Sequence, residues 1–340
     1  MAVAGAPNRL RRATLAVALV AGYAGSVLYS VLLSRMDGQT SSIWTATGFL
    51  AGMLILLSGR SRIVAVGLCL AFQAAVSVGV GDGLGRALFN PPVNLFEAAV
   101  AAWLGVAYCG AGARRLSLRK LSLLMLGAIT PAAMLGAVVG AGVNFMLRGQ
   151  PFLDGWLAWA IPSGLGMAIV TPGLLLVARE SQYKEFRRTG IETMGLLGGV
   201  CGVTAAVFFQ TELPLQFVIF PALTLVAFRL GPPGAAIAGF FVAVICLSLV
   251  VLGHGPAMLA TALDQVGRVR LTQAVAAAAL CTTLATAALV ADQSRLRNLL
   301  IGRDRAVRAA RMRARAAERA ALEVSDRREM APRRNGAHFA

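Results

Sequence analysis

The chain has 340 residues, of which 57% are hydrophobic and 14% are charged, and its mean hydropathy is +0.72. Soluble domains average about 45–50% apolar and about 25% charged residues, so this composition excludes an ordinary water-soluble globule and a disordered chain. The net charge of +17 is concentrated near the C-terminus, where 13 of the 30 arginines follow residue 290. We therefore predict an all-α polytopic membrane bundle with a basic C-terminal segment.

The first apolar run, 13–33, follows a short basic segment and is about 20 residues long. The apolar region of a secretory signal peptide is about 7–15 residues, so we predict a first spanning helix that is retained. Further apolar runs of this kind are expected to be helices, because backbone groups in lipid must be hydrogen-bonded within the segment. The ten predicted spans are 13–33, 43–58, 62–80, 91–109, 122–145, 156–178, 191–209, 214–229, 233–252 and 269–291.

The basic residues are distributed unevenly between the two sides of this predicted bundle. Of the 32 lysines and arginines, 27 lie on the side that carries both termini. Cytoplasmic loops carry the excess of such residues, so we expect both termini in the cytoplasm, which requires an even number of spans.

Small residues recur at a spacing of four, which lets helices approach each other closely in lipid. We expect these glycines to pack within the chain, and a homodimer is the alternative. The pairs are Gly48/Gly52, Gly136/Gly140, Gly195/Gly199 and Gly198/Gly202.

A weak internal repeat relates the two halves of the chain. Segment 59–67 resembles 231–239, and 96–102 resembles 271–277 at a similar offset. Duplicated halves with polar residues near the midplane are common in transporters. A chance match between alanine-rich helices is the alternative explanation of the similarity.

Glu97 is the one acidic residue that we place well inside a predicted span. A carboxylate in hydrocarbon costs several kcal/mol unless it is paired, hydrated or protonated, so we expect it to face the bundle interior. Asn94 lies one turn earlier on the same helix face. These groups line a polar cavity or, alternatively, hydrogen-bond between helices, as do the other polar groups predicted to be buried: Gln73, Asn144, Gln210, Gln216 and Gln273.

Prolines and tryptophans mark other positions in the predicted spans. We expect a proline to kink its helix, because it removes a backbone hydrogen bond. These prolines are Pro131, Pro162, Pro172 and Pro221. Trp156 and Trp159 lie near a predicted interface, where they form an aromatic belt or line a pocket.

Motifs of enzymes and metal sites are missing from the sequence. The glycine-rich segment 79–85 has no phosphate-binding context, and neither histidine lies in a phospho-acceptor setting. All five cysteines lie in apolar runs without a CxxC motif, so we expect them to pack as small hydrophobic residues. We therefore predict no enzyme activity, no metal and no cofactor.

The segment 293–330 is rich in alanine and arginine, contains no proline before residue 332, and is predicted to form a cytoplasmic helix. Leu296, Leu300 and Val307 lie in a heptad seam that alanine and arginine weaken. The excess of arginine favours contact with anionic lipid. Nucleic-acid binding is disfavoured because no aromatic residue interleaves the charges, and residues 331–340 are expected to be disordered.

Several stretches in order resemble the type-1 membrane-associated sensor (MASE) domain. They are 43–49 with Trp44, 94–98 with Asn94 and Glu97, 156–175 with Ser163 and Pro172, 220–232 with Pro221, and Gln273. The resemblance covers about 13–295 and implies a sensory input module of a bacterial inner membrane. The predicted domains are therefore a sensor-like membrane domain at 1–292 and the helix at 293–330.

Two departures from this family pattern matter. Ser163 stands where the family often has an acidic residue, and no output domain follows the membrane domain. The resemblance therefore implies a stand-alone module that acts on a separate kinase, cyclase or response regulator, or a remnant of a longer protein.

The predicted mechanism is a stimulus that changes the packing of the spans around Glu97 and is passed to the C-terminal helix. The candidate ligand or switch residues are Trp44, Asn94, Glu97, Trp159, Ser163, Pro172, Pro221 and Gln273. The alternatives are a small-solute transporter and a membrane-anchored scaffold.

Overall fold

The structure is a computed structural model that describes residues 6–36, 42–110 and 116–329. Within these ranges the chain is helical and forms no β-strand, which confirms the predicted all-α membrane bundle. The α-helices are α1 (Ala6–Met36), α2 (Ala46–Leu56), α3 (Arg60–Gly79), α4 (Leu84–Cys109), α5 (Leu118–Ser122), α6 (Thr130–Arg148), α7 (Phe152–Ala178), α8 (Gly190–Phe209), α9 (Ile219–Val251) and α10 (Gln265–Glu329). A π-helical segment, Leu123–Ile129, joins α5 to α6.

Eight helical segments of the described chain are long and apolar enough to cross a membrane, where the sequence predicts ten. The predicted second span contains only the 11 residues of α2, which extend about 17 Å against a hydrocarbon core of about 30 Å. The predicted eighth and ninth spans form a single element, Leu215–Val251. Hydropathy alone finds the apolar segments but does not show how far each one is helical.

The break inside Leu215–Val251 lies at Gly231, whose backbone has φ 61° and ψ −163°. Gly59, which precedes α3, has a closely similar conformation, with φ 60° and ψ −144°. Only glycine adopts positive φ of this kind readily. The two glycines occupy equivalent positions in the internal repeat, which itself stays a prediction.

The short helix α2 is held against α7 by backbone contacts. The Trp44 amide donates to the Pro162 carbonyl at 3.1 Å, and the Thr171 hydroxyl donates to the Gly48 carbonyl at 3.2 Å. Gly166 lies directly against the Trp44 carbonyl, where a side chain has no space. The segment before α2 is held by a hydrogen bond from α10, in which Gln273 Nε2 donates to the Ser42 carbonyl at 2.6 Å.

The chain divides after Ala291 into two compact units. In the second unit the described side chains of 295–316 are exposed, including the seam residues Leu296, Leu300 and Val307. Arg308 pairs with Asp304 at 2.7 Å, one turn away on the same helix. The predicted disordered tail, 331–340, lies outside the described residues.

Candidate functional site

One face of α4 carries a series of polar side chains spaced by one helical turn. Asp82 precedes the helix, and Arg86, Asn90 and Asn94 follow at intervals of four residues, with Glu97 three residues further on. At 1.5 Å per residue, the series from Arg86 to Glu97 extends about 16 Å along the helix axis. It therefore runs from the end of the helix deep into the bundle.

This polar face exists because α4 begins at Leu84 rather than at residue 91, where the sequence places the span. Pro91 and Pro92 both lie inside the helix. They remove two backbone donors, and such breaks are tolerated in lipid where neighbouring groups satisfy the freed carbonyls. The predicted start at 91 leaves Arg86 in a loop and is wrong.

A cavity of about 400 Å³ lies beside this face of α4, between α1, α3 and α7. Its volume is within the range of sites for small molecules, about 300–1,000 Å³. The polar residues that line it are Ser34, Arg35, Trp44, Gln73, Ser77, Asp82, Arg86, Asn90, Asn94, Asn144, Gln150, Trp159 and Ser163.

Four buried polar atoms on the cavity wall have no hydrogen-bond partner within the described chain. They are Trp44 Nε1, Arg86 Nε, Asn90 Oδ1 and Asn94 Oδ1. Asn94 is only 1% exposed. An unsatisfied buried polar atom costs about 1–3 kcal/mol, so most such atoms in proteins are paired. All four residues line the same cavity.

Glu97 is fully buried at the inner end of the polar face and is held by two side chains of α7. Ser163 Oγ donates to Oε1 at 2.7 Å, and Trp159 Nε1 donates to Oε2 at 3.2 Å. The carboxyl group thus fixes the orientation of two residues that line the cavity. Glu97 lies behind the wall rather than in it.

Two glycines of α6 make this arrangement sterically accessible. A β-carbon at Gly136 would lie 2.8 Å from Glu97 Cγ, and one at Gly140 would lie 2.5 Å from the Trp159 ring. Real β-carbons almost never approach other atoms this closely, so a larger residue at either position would displace the carboxyl group or the indole.

Charged groups lie at the end of the cavity that carries residues 80–83. Arg86 pairs with Asp82 at 3.3 Å, and Arg35 donates to the Val80 carbonyl. Further inside, Tyr23 donates to Gln73 Oε1 at 2.6 Å. The charged residues of the wall are two arginines and one aspartate, which gives it a formal charge of +1.

The structure brings together five of the eight candidate residues. Trp44, Asn94, Trp159 and Ser163 line the cavity, and Glu97 lies directly behind them. Trp159 thus lines the cavity and donates to Glu97, and Trp156 on the same helix donates to the Met134 carbonyl at 3.2 Å.

The other three candidates lie away from this cavity. Pro172 is buried within α7, and Gln273 bonds to the segment before α2. Pro221 is exposed and belongs to the first turn of α9, where a proline is tolerated, so the predicted kink there is wrong. The α9 break lies at Gly231 instead.

The site residues predicted from the sequence do not include Arg35, Arg86 or Asn90. The spacing of four between Asp82, Arg86, Asn90 and Asn94 was the available signal for Arg86 and Asn90. The proline pair conceals that signal, because it indicates a helix start. No comparable signal identifies Arg35, whose position depends on the packing of α1 near residue 80.

Comparison with known proteins gives one match over most of the chain. The model of the MASE1 family matches residues 13–294. No curated protein and no solved structure matches the chain. The matched range contains the whole cavity together with α2 and the first part of α10, and by this match the chain belongs to the MASE1 family of membrane-associated sensory domains.

Proposed function

We propose that this chain is the input module of a bacterial signalling system, in which a small molecule binds the cavity and α10 passes the change to a partner. The observation that carries the proposal is the group of four unpartnered polar atoms on the wall of a 400 Å³ cavity. Buried polar atoms of this kind require a polar partner, since each costs free energy when it is unpaired.

The distribution of basic residues supports a cavity that opens away from the cytoplasm. In the ten-span topology predicted from the sequence, the loops at 80–83 and 149–151 lie on the side with 5 of the 32 basic residues, and the remaining 27 lie on the other side. By the positive-inside rule, both termini are then cytoplasmic and the protein is a multi-pass component of the inner membrane. The ligand would reach the cavity from outside the cytoplasm.

A short chain of contacts supports a route from the cavity to α10. Trp44 lines the cavity, and its amide is bonded to the Pro162 carbonyl of α7. Two residues earlier, the Ser42 carbonyl accepts from Gln273 of α10 at 2.6 Å. A ligand that binds one position of Trp44 better than another would change the position of this segment and thereby the position of α10.

The partner that fits the proposal is a cytoplasmic kinase, cyclase or response regulator acting in trans. The described helix surface beyond residue 292 combines exposed leucines at 296 and 300 with many arginines. The arginines also favour the anionic surface of the bilayer, each contributing about 1 kcal/mol. The chain itself has no enzymatic role in this proposal.

The experiment that tests the proposal is photo-crosslinking from Leu300 in living cells, followed by mass spectrometry. We expect capture of a signalling protein, with a yield that changes in Gln273→Leu, which removes the bond to Ser42. The matched control is Thr282→Ala on the same helix, whose hydroxyl bonds only to its own helix. Capture of lipid alone, or a yield unchanged by Gln273→Leu, would contradict the proposed route.

A small-solute transporter is the second candidate. The equivalent glycine breaks at Gly59 and Gly231 favour it, because transporters are often built from repeated halves with broken helices. Solute uptake into proteoliposomes that depends on Glu97 would support transport over sensing.

A further inference from the structure

We infer that the cavity binds a small carboxylate that also carries a hydroxyl or amino group. The inference rests on the proposed ligand site and names the chemical class that the wall is built to recognise. Three properties of the wall carry it: the donors and acceptors left unpaired, the balance of charge and the volume.

The unpaired donors call for an acceptor with more than one oxygen. Trp44 Nε1 and Arg86 Nε can only donate, and both are buried without a partner on the wall. A carboxylate offers two oxygens and about four lone-pair positions, and it pairs well with the planar fork of an arginine. A carboxylate therefore has enough acceptor positions for both donors.

The unpaired acceptors call for a donor on the same molecule. Asn90 and Asn94 lie one turn apart on α4, and the Oδ1 atom of each is buried and unpaired. A simple carboxylate supplies no hydrogen to these oxygens, whereas a hydroxyl or ammonium group does. Asn94 is the deeper of the two, with only 1% of its surface exposed, so few water molecules compete with a ligand for its Oδ1 atom.

The charge of the wall favours a single carboxylate group over a phosphate dianion. Arg35 and Arg86 are opposed by Asp82 alone among the lining residues. Behind the wall, both oxygens of Glu97 already accept hydrogen bonds from Trp159 and Ser163, so this carboxyl group does not offer itself to a ligand. One negative charge matches the formal charge of +1, while a phosphate dianion is only half compensated.

The volume limits the size of the ligand. A cavity of about 400 Å³ lies near the lower end of the range of small-molecule sites, about 300–1,000 Å³. The indoles of Trp44 and Trp159 supply flat apolar surface for the carbon skeleton. Hydroxy acids and amino acids of a few carbons fit these limits.

Direct binding to the purified full chain in phospholipid nanodiscs tests the inference. The probes are lactate, propionate and propane-1,2-diol, which share a three-carbon skeleton, together with L-serine, ethanolamine and inorganic phosphate. We expect lactate or L-serine to raise the midpoint of thermal unfolding in a concentration-dependent manner. Propionate should bind about tenfold more weakly, and the diol and ethanolamine should have no effect.

Two variants assign the contacts. Trp44→Phe keeps the packing and removes the donor, so we expect about tenfold weaker binding of lactate and propionate alike. Asn94→Ala should instead reduce the preference for lactate over propionate. The control is Trp103→Phe, also on α4, whose side chain is 71% exposed and does not line the cavity.

Several results would overturn the inference. Strongest binding of phosphate, of ethanolamine or of the diol would do so, as would affinities unchanged in both Trp44→Phe and Asn94→Ala. No partner is needed for binding, so the two proposals fail separately. Capture of a signalling protein without binding of any carboxylate would contradict only the proposed ligand class. Binding of lactate or L-serine without capture of a signalling protein would support that ligand class.

Discussion

The glycines of α6 and α8 share the spacing of four residues and have opposite surroundings. In α6, Gly136 lies against Glu97 and Gly140 lies against the Trp159 ring. In α8, the four glycines have no neighbouring atom within 4 Å of a built β-carbon in the described chain: Gly195, Gly198, Gly199 and Gly202. The same sequence pattern therefore makes room for two side chains of the site in one helix and forms a surface without described neighbours in the other.

Small-residue spacing therefore indicates a helix surface that permits close approach, but it does not indicate which group approaches that surface. In α6 the approaching groups are the buried carboxyl and indole on which the cavity depends. On α8 the surface is available to lipid, and a homodimer through it stays a prediction. Substitutions that enlarge the glycines or remove the contacting side chains test this difference between α6 and α8.

The largest effect is expected from Gly166→Val, because Gly166 lies against the Trp44 backbone. A backbone neighbour cannot rotate away as a side chain does, so overpacking should cost at least about 3 kcal/mol. We expect little folded protein in size-exclusion chromatography. Gly173→Ala on the same helix is the control, since its β-carbon would meet Ala236 at an ordinary 3.7 Å. Equal yields of the two variants would refute the contact.

The next effect is expected from Gly140→Leu in α6, measured against Gly199→Leu in α8. The first displaces Trp159 and its bond to Glu97, which should cost about 1–3 kcal/mol of unfolding free energy. The second meets no atom of the described chain and should stay within about 0.5 kcal/mol. Denaturant titration in mixed micelles measures both, and similar losses would remove the contrast between α6 and α8.

A smaller loss is expected from Ser163→Ala. It removes the donor to Glu97 Oε1 and leaves a buried acceptor with less hydrogen bonding, at about 1–2 kcal/mol. Thr282→Ala is the matched control, because that exposed hydroxyl bonds only within its own helix. If both substitutions reduce the unfolding free energy equally, the hydrogen bond from Ser163 does not stabilise the Glu97 carboxyl group.

The smallest effect is expected at the surface end of α8. Glu192 pairs with Arg229 of α9 and lies 3.7 Å from Arg188. Because these groups are partly exposed, Glu192→Gln should cost less than about 1 kcal/mol, and the loss should shrink in high salt. Thermal unfolding at low and high ionic strength measures it. A loss of unfolding free energy larger than that of Ser163→Ala would contradict the expectation that the buried site contributes more to stability than this surface ion pair.

The membrane class, the apolar segments and the burial of Asn94 and Glu97 could be predicted from the sequence alone. These follow from local properties, since composition and hydropathy depend only on residues within a short window. A carboxyl group in an apolar helix must find a partner, so Glu97 was identifiable without knowledge of its neighbours. The helical C-terminal segment was equally a matter of local helix propensity, and it is helical as far as Glu329.

The contacts between side chains that are distant in the sequence depend on the tertiary structure. The bond between Ser163 and Glu97 joins residues 66 apart, and that between Gln273 and Ser42 joins residues 231 apart. No local pattern contains such distances. The early start of α4 and the short length of α2 were likewise not visible in the local pattern, because Pro91 and Pro92 indicate a helix start and α2 ends inside a longer apolar run. The packing of the helices places Arg86 and Asn90 on the cavity wall and so completes the candidate site.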